Sequence, residues 1–366
     1  MSDSKAARKA GASERSSMAH QFRRWWRRRQ RGTAEEPQPP YRETGDGKPR
    51  RLGVEFEFSG LSLARLSELV PQATGGQSHV VSDYEAEVRD TPWGTFVIEL
   101  DFAFLKELGR NQADPSVERN SLEELSESLL AAVAKQVVPF EIVTPPIPFD
   151  ELAVVDQLVA HLRRAGARGT RHSPLYAFGL HLNIELPALD AGTITRYLQA
   201  FGLLFDWLRE RCHPDFSRRL SPYIEPFPAE YLRHILQADY APDLDQLIDD
   251  YLAHNPTRNR ALDMLPTFAH IDDARVRETV KDPRVKARPA LHYRLPNCQI
   301  DEADWRWRDL WKDWLQIEHL AADPQRLQSM AAAYREAHEG MVGRWVSDWA
   351  RQSRTWLLDE DALAGR

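Results

Sequence analysis

Two carboxylates, Glu55 and Glu57, stand two residues apart in the run Arg51-Leu52-Gly53-Val54-Glu55-Phe56-Glu57-Phe58. Apolar Val54, Phe56 and Phe58 alternate with them, a period of two that predicts a half-buried β-strand with both acids on one face. Like charges so placed repel, and a cation held between them reverses the sign of that cost. For one such strand alone, a solvated face is the commoner explanation. The pattern returns, however. Val97-Ile98-Glu99-Leu100-Asp101-Phe102 sets Glu99 and Asp101 on one face, and Phe140-Glu141-Ile142-Val143 carries a further acid. Gly179 to Leu186 places His181, Asn183 and Glu185 opposite Leu180, Leu182, Ile184 and Leu186. Leu291-His292-Tyr293-Arg294-Leu295 places His292 and Arg294 opposite three apolar residues. An ordinary wet sheet face mixes in Thr, Ser and Lys. These faces carry Glu, Asp, His, Asn and Arg without Lys, the donor set that Mg²⁺ or Mn²⁺ bound to phosphates requires.

The elements that must position these groups follow from the rest of the pattern. Ser62 caps a helix to Val70 with a Leu63, Leu66, Leu69 stripe, Gly75-Gly76 turns the chain, and His79-Val80-Val81 reads as a strand. His79 and Glu85 to Glu87 read as a solvated loop edge. Ser121 and Glu124 have capping-box spacing ahead of a helix striped by Leu122, Leu125, Leu129 and Val133. Glu151 to Ala165 is a further helix, closed by Gly166. His172 and Tyr176 lie on the loop before the His181 strand. Thr193 to Cys212 carries Ile194, Leu198, Phe201, Leu204 and Leu208 at helical spacing, and shorter helices follow from Pro228 to His254. Asp304 to Ala322 and Pro324 to Ala350 form a long helical pair. Trp307, Trp311 and Trp314 fall at i, i+4 and i+7 there, which is packing rather than base stacking. Half-polar strands interspersed with helices predict an α+β protein. Its sheet is mixed and largely antiparallel, with one ligand-lined, concave face, helices on the other, and a helical C-terminal part.

Bulk properties narrow the classes. With 366 residues the chain can build one large core or two modest ones, and its net charge of −7 argues against a dedicated nucleic-acid binder. Cys212 and Cys298 form no CxxC pair, so zinc-ribbon and disulfide-scaffold readings fail and a reducing, cytoplasmic setting fits. No apolar run approaches a membrane span, and the N-terminus lacks the apolar stretch of a secretory signal. Residues 1–48 read as a disordered basic tail whose cluster Arg23-Arg24-Trp25-Trp26-Arg27-Arg28-Arg29 suits an anionic surface or is simply a flexible arm.

With these strands in hand, the chain resembles the amidoligase family, within the glutamine synthetase and γ-glutamylcysteine synthetase superfamily of carboxylate-amine ligases. Gly53 to Phe58 looks like the family's opening G-x-E-x-E strand. Glu99-Leu100-Asp101 and Glu141 to Pro146 are similar to its next acidic strands, and Gly179-Leu180-His181-Leu182-Asn183 to its G-x-H-x-[HN] strand. His292 to Asn297 resembles the late E-x-R-x-P-[DN] element of glutamine synthetase, with His292 where that element has Glu. No Gly-rich phosphate loop is present, consistent with a superfamily that holds nucleotide through metals and arginines.

The resemblance implies a glutamine synthetase-like catalytic domain over residues 49–300 with a helical insertion at 190–285, and a helical extension at 301–366 packed on it. It implies an ATP- and Mg²⁺-dependent ligase that activates a carboxylate as an acyl phosphate before an amine attacks. Glu55, Glu57, Glu99, Glu141, His181, Glu185 and His292 are then the candidate Mg²⁺ (or Mn²⁺) ligands. Arg294 and Arg288 bind the transferring phosphoryl group, and Asn183, with Arg294, contacts nucleotide or substrate. Asp101 is either a ligand or an acceptor orienting His181 or Arg294. Glu185 is a ligand or one half of a surface salt bridge, and Arg288, before Pro289, is a phosphate contact or a turn residue. Two rivals keep the same sheet: a phosphotransferase that releases a phosphorylated product, and a catalytically silent binding module. The motifs specify neither the carboxylate and amine substrates nor the oligomeric state.

Overall fold

The computed structural model describes residues 37–100, 139–172, 178–212, 224–338 and 348–363. Residues 1–36 of the expected tail, with its Arg/Trp cluster, Asp101, the helix expected after Ser121, Tyr176 and the His172 side chain lie outside the described residues. The fold is α+β, with a large antiparallel sheet and a helical C-terminal part. Among the described residues, no helix is long and apolar enough to cross a membrane. The chain forms two compact units, one built on Gly53–Ser173 with Cys298–Ala303, the other on Glu35–Leu52, Pro174–Asn297 and Asp304–Arg366.

The first unit contains β1 (Arg51–Phe58), α1 (Leu63–Thr74), β2 (Gln77–Ser82), β3 (Glu85–Arg89), β4 (Phe96–Leu100), β5 (Phe140–Val143), the short β6 (Ile147–Pro148) and α2 (Ala153–Arg164). Its strands lie in the order β2-β3-β4-β5-β1, and β2-β3, β3-β4, β4-β5 and β5-β1 are all antiparallel. Val54, Phe56, Phe58, Ile98 and Ile142 are fully buried, so the period of two in the sequence is the period of burial. Helix α1 covers the apolar side, packing against β2, β3, β4 and α2. Ser62 Oγ accepts the Arg65 N–H at 3.3 Å, the N-cap that the sequence implied.

The helix runs past its expected end at Val70. Pro71 forfeits one hydrogen bond, but it sits in the last turn, where Thr74 Oγ1 donates to the Val70 carbonyl at 2.8 Å and Gly75 N–H to that of Pro71 at 2.8 Å. Gly75 and Gly76 then adopt φ of 72° and 80°. A Cβ on Gly76 would lie 2.3 Å from the Arg89 carbonyl oxygen, so only glycine fits that turn.

Glu85 to Glu87, expected as a loop edge, belong to β3. Buried Ala86 and Val88 pair with Ile98 and Phe96, and this tertiary pairing makes a strand of a segment too polar to announce one.

The second unit contains β7 (Leu180–Glu185), α3 (Ala191–Cys212), α4 (Ala229–Ile235), α5 (Leu244–His254), β8 (Leu262–Asp263), α6 (Leu265–Ile271), α7 (Asp273–Thr279), β9 (Ala290–Tyr293), α8 (Trp307–Ala321), α9 (Pro324–His338), α10 (Trp349–Ser353) and α11 (Glu360–Leu363). β9 is central, antiparallel to both β7 and β8. Asp190 caps α3, taking the Thr193 N–H and hydroxyl at 2.8 and 2.7 Å. The stripe Ile194, Leu198, Phe201, Leu204 and Leu208 is wholly buried, and α8, α9 and α10 pack against α3. Trp307, Trp311 and Trp314 are core anchors.

A buried ion pair lies at the centre of this helical layer. Arg50 and Glu318, each fully buried, meet through two parallel bonds of 2.9 Å. Tyr197 Oη and Trp314 Nε1 also donate to the Glu318 carboxylate, the latter at 3.0 Å. Arg50 donates further to the carbonyls of Glu185 and Tyr41. Burial opposes the Arg50 charge, but the Glu318 carboxylate outweighs it and holds the guanidinium protonated.

Asp313 on α8 supplies a pH response. Burial raises its pKa to about 6 even though Arg211 Nε lies 3.2 Å away and pulls it down. A folded-state pKa above the ordinary 3.8 means that the folded chain binds this proton more readily than the unfolded chain. Its stabilising contribution is therefore present below about pH 4 and is lost as pH rises through about 6, on the order of 2–3 kcal/mol in all. Urea midpoints of wild type and Asp313→Asn at pH 4.5 and 7 check this. The wild type should lose more stability than the variant over that interval, and identical losses would remove Asp313 from the pH response.

Candidate functional site

In the first unit, strand register aligns the acids. Glu57 lies opposite Glu141, Glu141 opposite Glu99, and Glu99 opposite Glu85, a row of four carboxylates across β1, β5, β4 and β3. Glu55, on the same face of β1, lies opposite Val143. Directly opposed like charges destabilise a sheet by tenths to about 1 kcal/mol per pair, a cost that a cation bound between them would reverse. Carboxylate oxygens of Glu57 and Glu141 can lie within 4.8 Å of one another, a spacing one divalent ion can bridge. All four acids are half-buried, and the register directs them to one face of the sheet.

In the second unit, a row crosses β7, β9 and β8. Asn183 is opposite His292, and His292 is opposite Asp263. His181 and Asn183 are both buried on the same face of β7. The His181 ring meets that of His292 edge-on with centroids 5.3 Å apart, and their ring nitrogens can lie within 4.8 Å. Arg288 Nη2 donates to Asn183 Oδ1 at 2.6 Å and lies 2.7 Å from His292 Nδ1, which is itself 2.7 Å from Asn183 Oδ1. A guanidinium only donates and an amide oxygen only accepts. With the proton on Nδ1, His292 donates to Asn183 and presents the Nε2 lone pair, the form that ligates a metal. With the proton on Nε2, Nδ1 accepts from Arg288 instead.

Arg294, just beyond β9, lies 3.8 Å from Asp263, which is buried. Burial raises the Asp263 pKa, against the opposing pull of Arg294, Arg258 and Arg288. Asp263 Oδ1 also accepts the Leu265 N–H at 2.9 Å. Asp263 therefore stands beside Arg294 as an orienting carboxylate.

Glu185 is placed differently. Its Oε2 accepts the Arg51 N–H at 3.0 Å and lies 3.8 Å from Arg51 Nε, the salt-bridge arrangement weighed for it from sequence.

Three residues here went unselected in the sequence. Glu85 continues the acid row, with Glu-Ala-Glu-Val as its only signal. Asp263 sits on a two-residue strand too short for any periodicity. Arg258, in Arg258-Asn259-Arg260, looks like any surface arginine until its neighbours are known.

A family model described as "Putative amidoligase enzyme" matches residues 48–316, which contain every residue of both rows. No curated protein and no solved structure matches the chain. A match over most of the chain settles the family: this chain belongs to the amidoligases, an enzyme family of ligases.

Proposed function

We propose that the chain is an ATP- and Mg²⁺-dependent carboxylate-amine ligase working through an acyl phosphate. The single observation that carries this reading is the row Glu57, Glu141, Glu99 and Glu85, four acids set directly opposite one another across adjacent strands. The donor set fits Mg²⁺ or Mn²⁺, because hard oxygen ligands dominate and no thiolate takes part. Glu57 and Glu141 would hold one ion, Glu55 and Glu99 would add charge, and His181 and His292 would offer imidazole nitrogens. Bound Mg²⁺ supplies charge neutralisation and alignment of the phosphates, which phosphoryl transfer needs more than covalent help.

The chain's own residues do the rest. Arg294, oriented by Asp263, and Arg288, held by Asn183, present guanidinium donors suited to phosphoryl oxygens. Attack of the carboxylate oxygen on the γ-phosphorus breaks its bond to the bridging oxygen of ADP and forms the acyl phosphate. Attack of the neutral amine on the acyl carbon then expels phosphate and forms the amide, the amine proton passing to solvent or to the departing phosphate. Substrates are a small-molecule or peptide carboxylate and an amine.

Incubating the full chain with ATP, Mg²⁺ and pooled metabolites tests this, with a new amide sought by mass spectrometry. Phosphate release should depend on both an acid and an amine. Turnover that ignores the amine and yields a stable phosphorylated product would replace the ligase with a phosphotransferase on the same sheet.

A further inference from the structure

We propose that the outer edge of β2 is a self-association surface, on which a second copy of this chain adds its own β2 antiparallel to the first about a two-fold axis. β2 ends the strand order of its sheet, and among the described residues it pairs only with β3. An edge strand presents a row of backbone N–H and C=O groups that another strand can pair with, and proteins ordinarily blunt it with lysine, proline or inward-turned charge. Gln77-Ser78-His79-Val80-Val81-Ser82 contains no Lys, Arg, Asp, Glu or Pro. The charge sits one strand further in, on Glu85, Glu87 and Arg89 of β3. A bulge between Val80 and Ser82 falls at the end of the strand and leaves residues 77–80 in regular register.

Apolar exposure is concentrated at the same place. Val80 is 69% and Val81 50% exposed, while the other large apolar side chains among the described residues, Tyr41 apart, are buried or half-buried. Val80 lies on the side of the sheet that α1 covers, opposite buried Ala86. A two-fold axis normal to the sheet keeps each face on its own side. With that axis at Val80 or at His79, Val80 of one copy meets Val80 of the other directly or on the diagonal. Such pairing sets apolar groups together and opposes no like formal charges. A different partner would need a matching strand, whereas a second copy brings one by construction. The net charge of −7 repels two chains at long range, so a neutral edge is where they can approach. A six-residue edge is small beside the roughly 1,600 Å² of a standard interface, so a weak dimer with a Kd of about 10–100 µM is expected.

Sedimentation velocity of the full chain across about 5–500 µM tests the assignment. Wild type should pass from monomer to dimer over that range. It should associate more tightly as salt is raised, since screening removes the repulsion between two acidic chains. Val80→Lys should weaken association at least about 10-fold, because two ammonium groups then meet across the axis. Mixing Val80→Lys with Val80→Glu should restore the dimer, a recovery that an interface elsewhere on the molecule would not give. At 69% exposure the substitution leaves the fold alone, and a melting midpoint within about 2 °C of wild type checks that. Should Val80→Lys melt early, Val81→Lys carries the test with the same expected loss. A wild type that stays monomeric throughout overturns the inference and leaves the edge to a strand of another protein. A dimer that both lysine variants leave intact also overturns it, by placing the interface away from β2.

Discussion

Glu57→Gln is expected to lower ATP turnover at least about 100-fold while leaving the chain as stable as wild type, or slightly more so, in metal-free buffer. Glutamine keeps the shape of glutamate and removes only its charge. That charge is the one facing Glu141 across β1 and β5, so its loss weakens the binding of any divalent ion there. The same loss relieves the repulsion along the row Glu57, Glu141, Glu99 and Glu85, so thermal stability without metal should stay level or rise by up to about 1 kcal/mol. The opposite signs of the two effects make the experiment discriminating. A structural glutamate would lose stability, and a solvated one would lose nothing. Melting curves with and without Mg²⁺, taken beside steady-state phosphate release, read both. If turnover persists at the wild-type rate, Glu57 is not part of the metal site.

Glu318→Ala is expected to cost about 3–5 kcal/mol of stability, with the thermal midpoint falling by roughly 5–15 °C. Both partners of the Arg50–Glu318 pair are fully buried, and Glu318 also takes bonds from Tyr197 and Trp314. Truncation leaves the Arg50 charge buried without its carboxylate partner, the neutral carbonyls of Glu185 and Tyr41 being among its remaining acceptors. Water reaching Arg50 through the new cavity would soften the cost, and a loss below about 1 kcal/mol would show that this had happened. Pairing Arg50→Met with Glu318→Leu should cost far less than Glu318→Ala alone, because an apolar pair leaves no stranded charge. Urea unfolding of the three variants measures the difference.

The strands were legible because burial on one face writes a period of two into the chain. Val54, Phe56 and Phe58 mark β1, and β5 begins and ends where Phe140-Glu141-Ile142-Val143 suggested. The helices were legible where an apolar stripe met a cap, as at Ser62 with α1 and along Ile194 to Leu208 of α3. The breakdowns have physical causes. The first helix, expected to end at Val70, runs on to Thr74 because Pro71 falls in its last turn, where a proline is tolerated. Glu85 to Glu87 read as a wet edge because Ala86 is too small to signal burial by itself. Asp263 and Arg258 carried no local signature at all.

What the sequence alone determined is therefore the local chemistry: which residues are acids, imidazoles and guanidiniums, on which strand, and on which face, together with membership of the amidoligase family. Only the tertiary structure decided which groups confront one another. Register sets Glu57 against Glu141, Glu141 against Glu99, and His292 between Asn183 and Asp263. Burial gives Asp263 and Arg258 their altered ionisation. The reason is one of range: side-chain direction follows from dihedral angles a few residues apart, whereas opposition and desolvation arise between segments a hundred or more residues apart, as with Arg288 and Asn183 or Arg50 and Glu318.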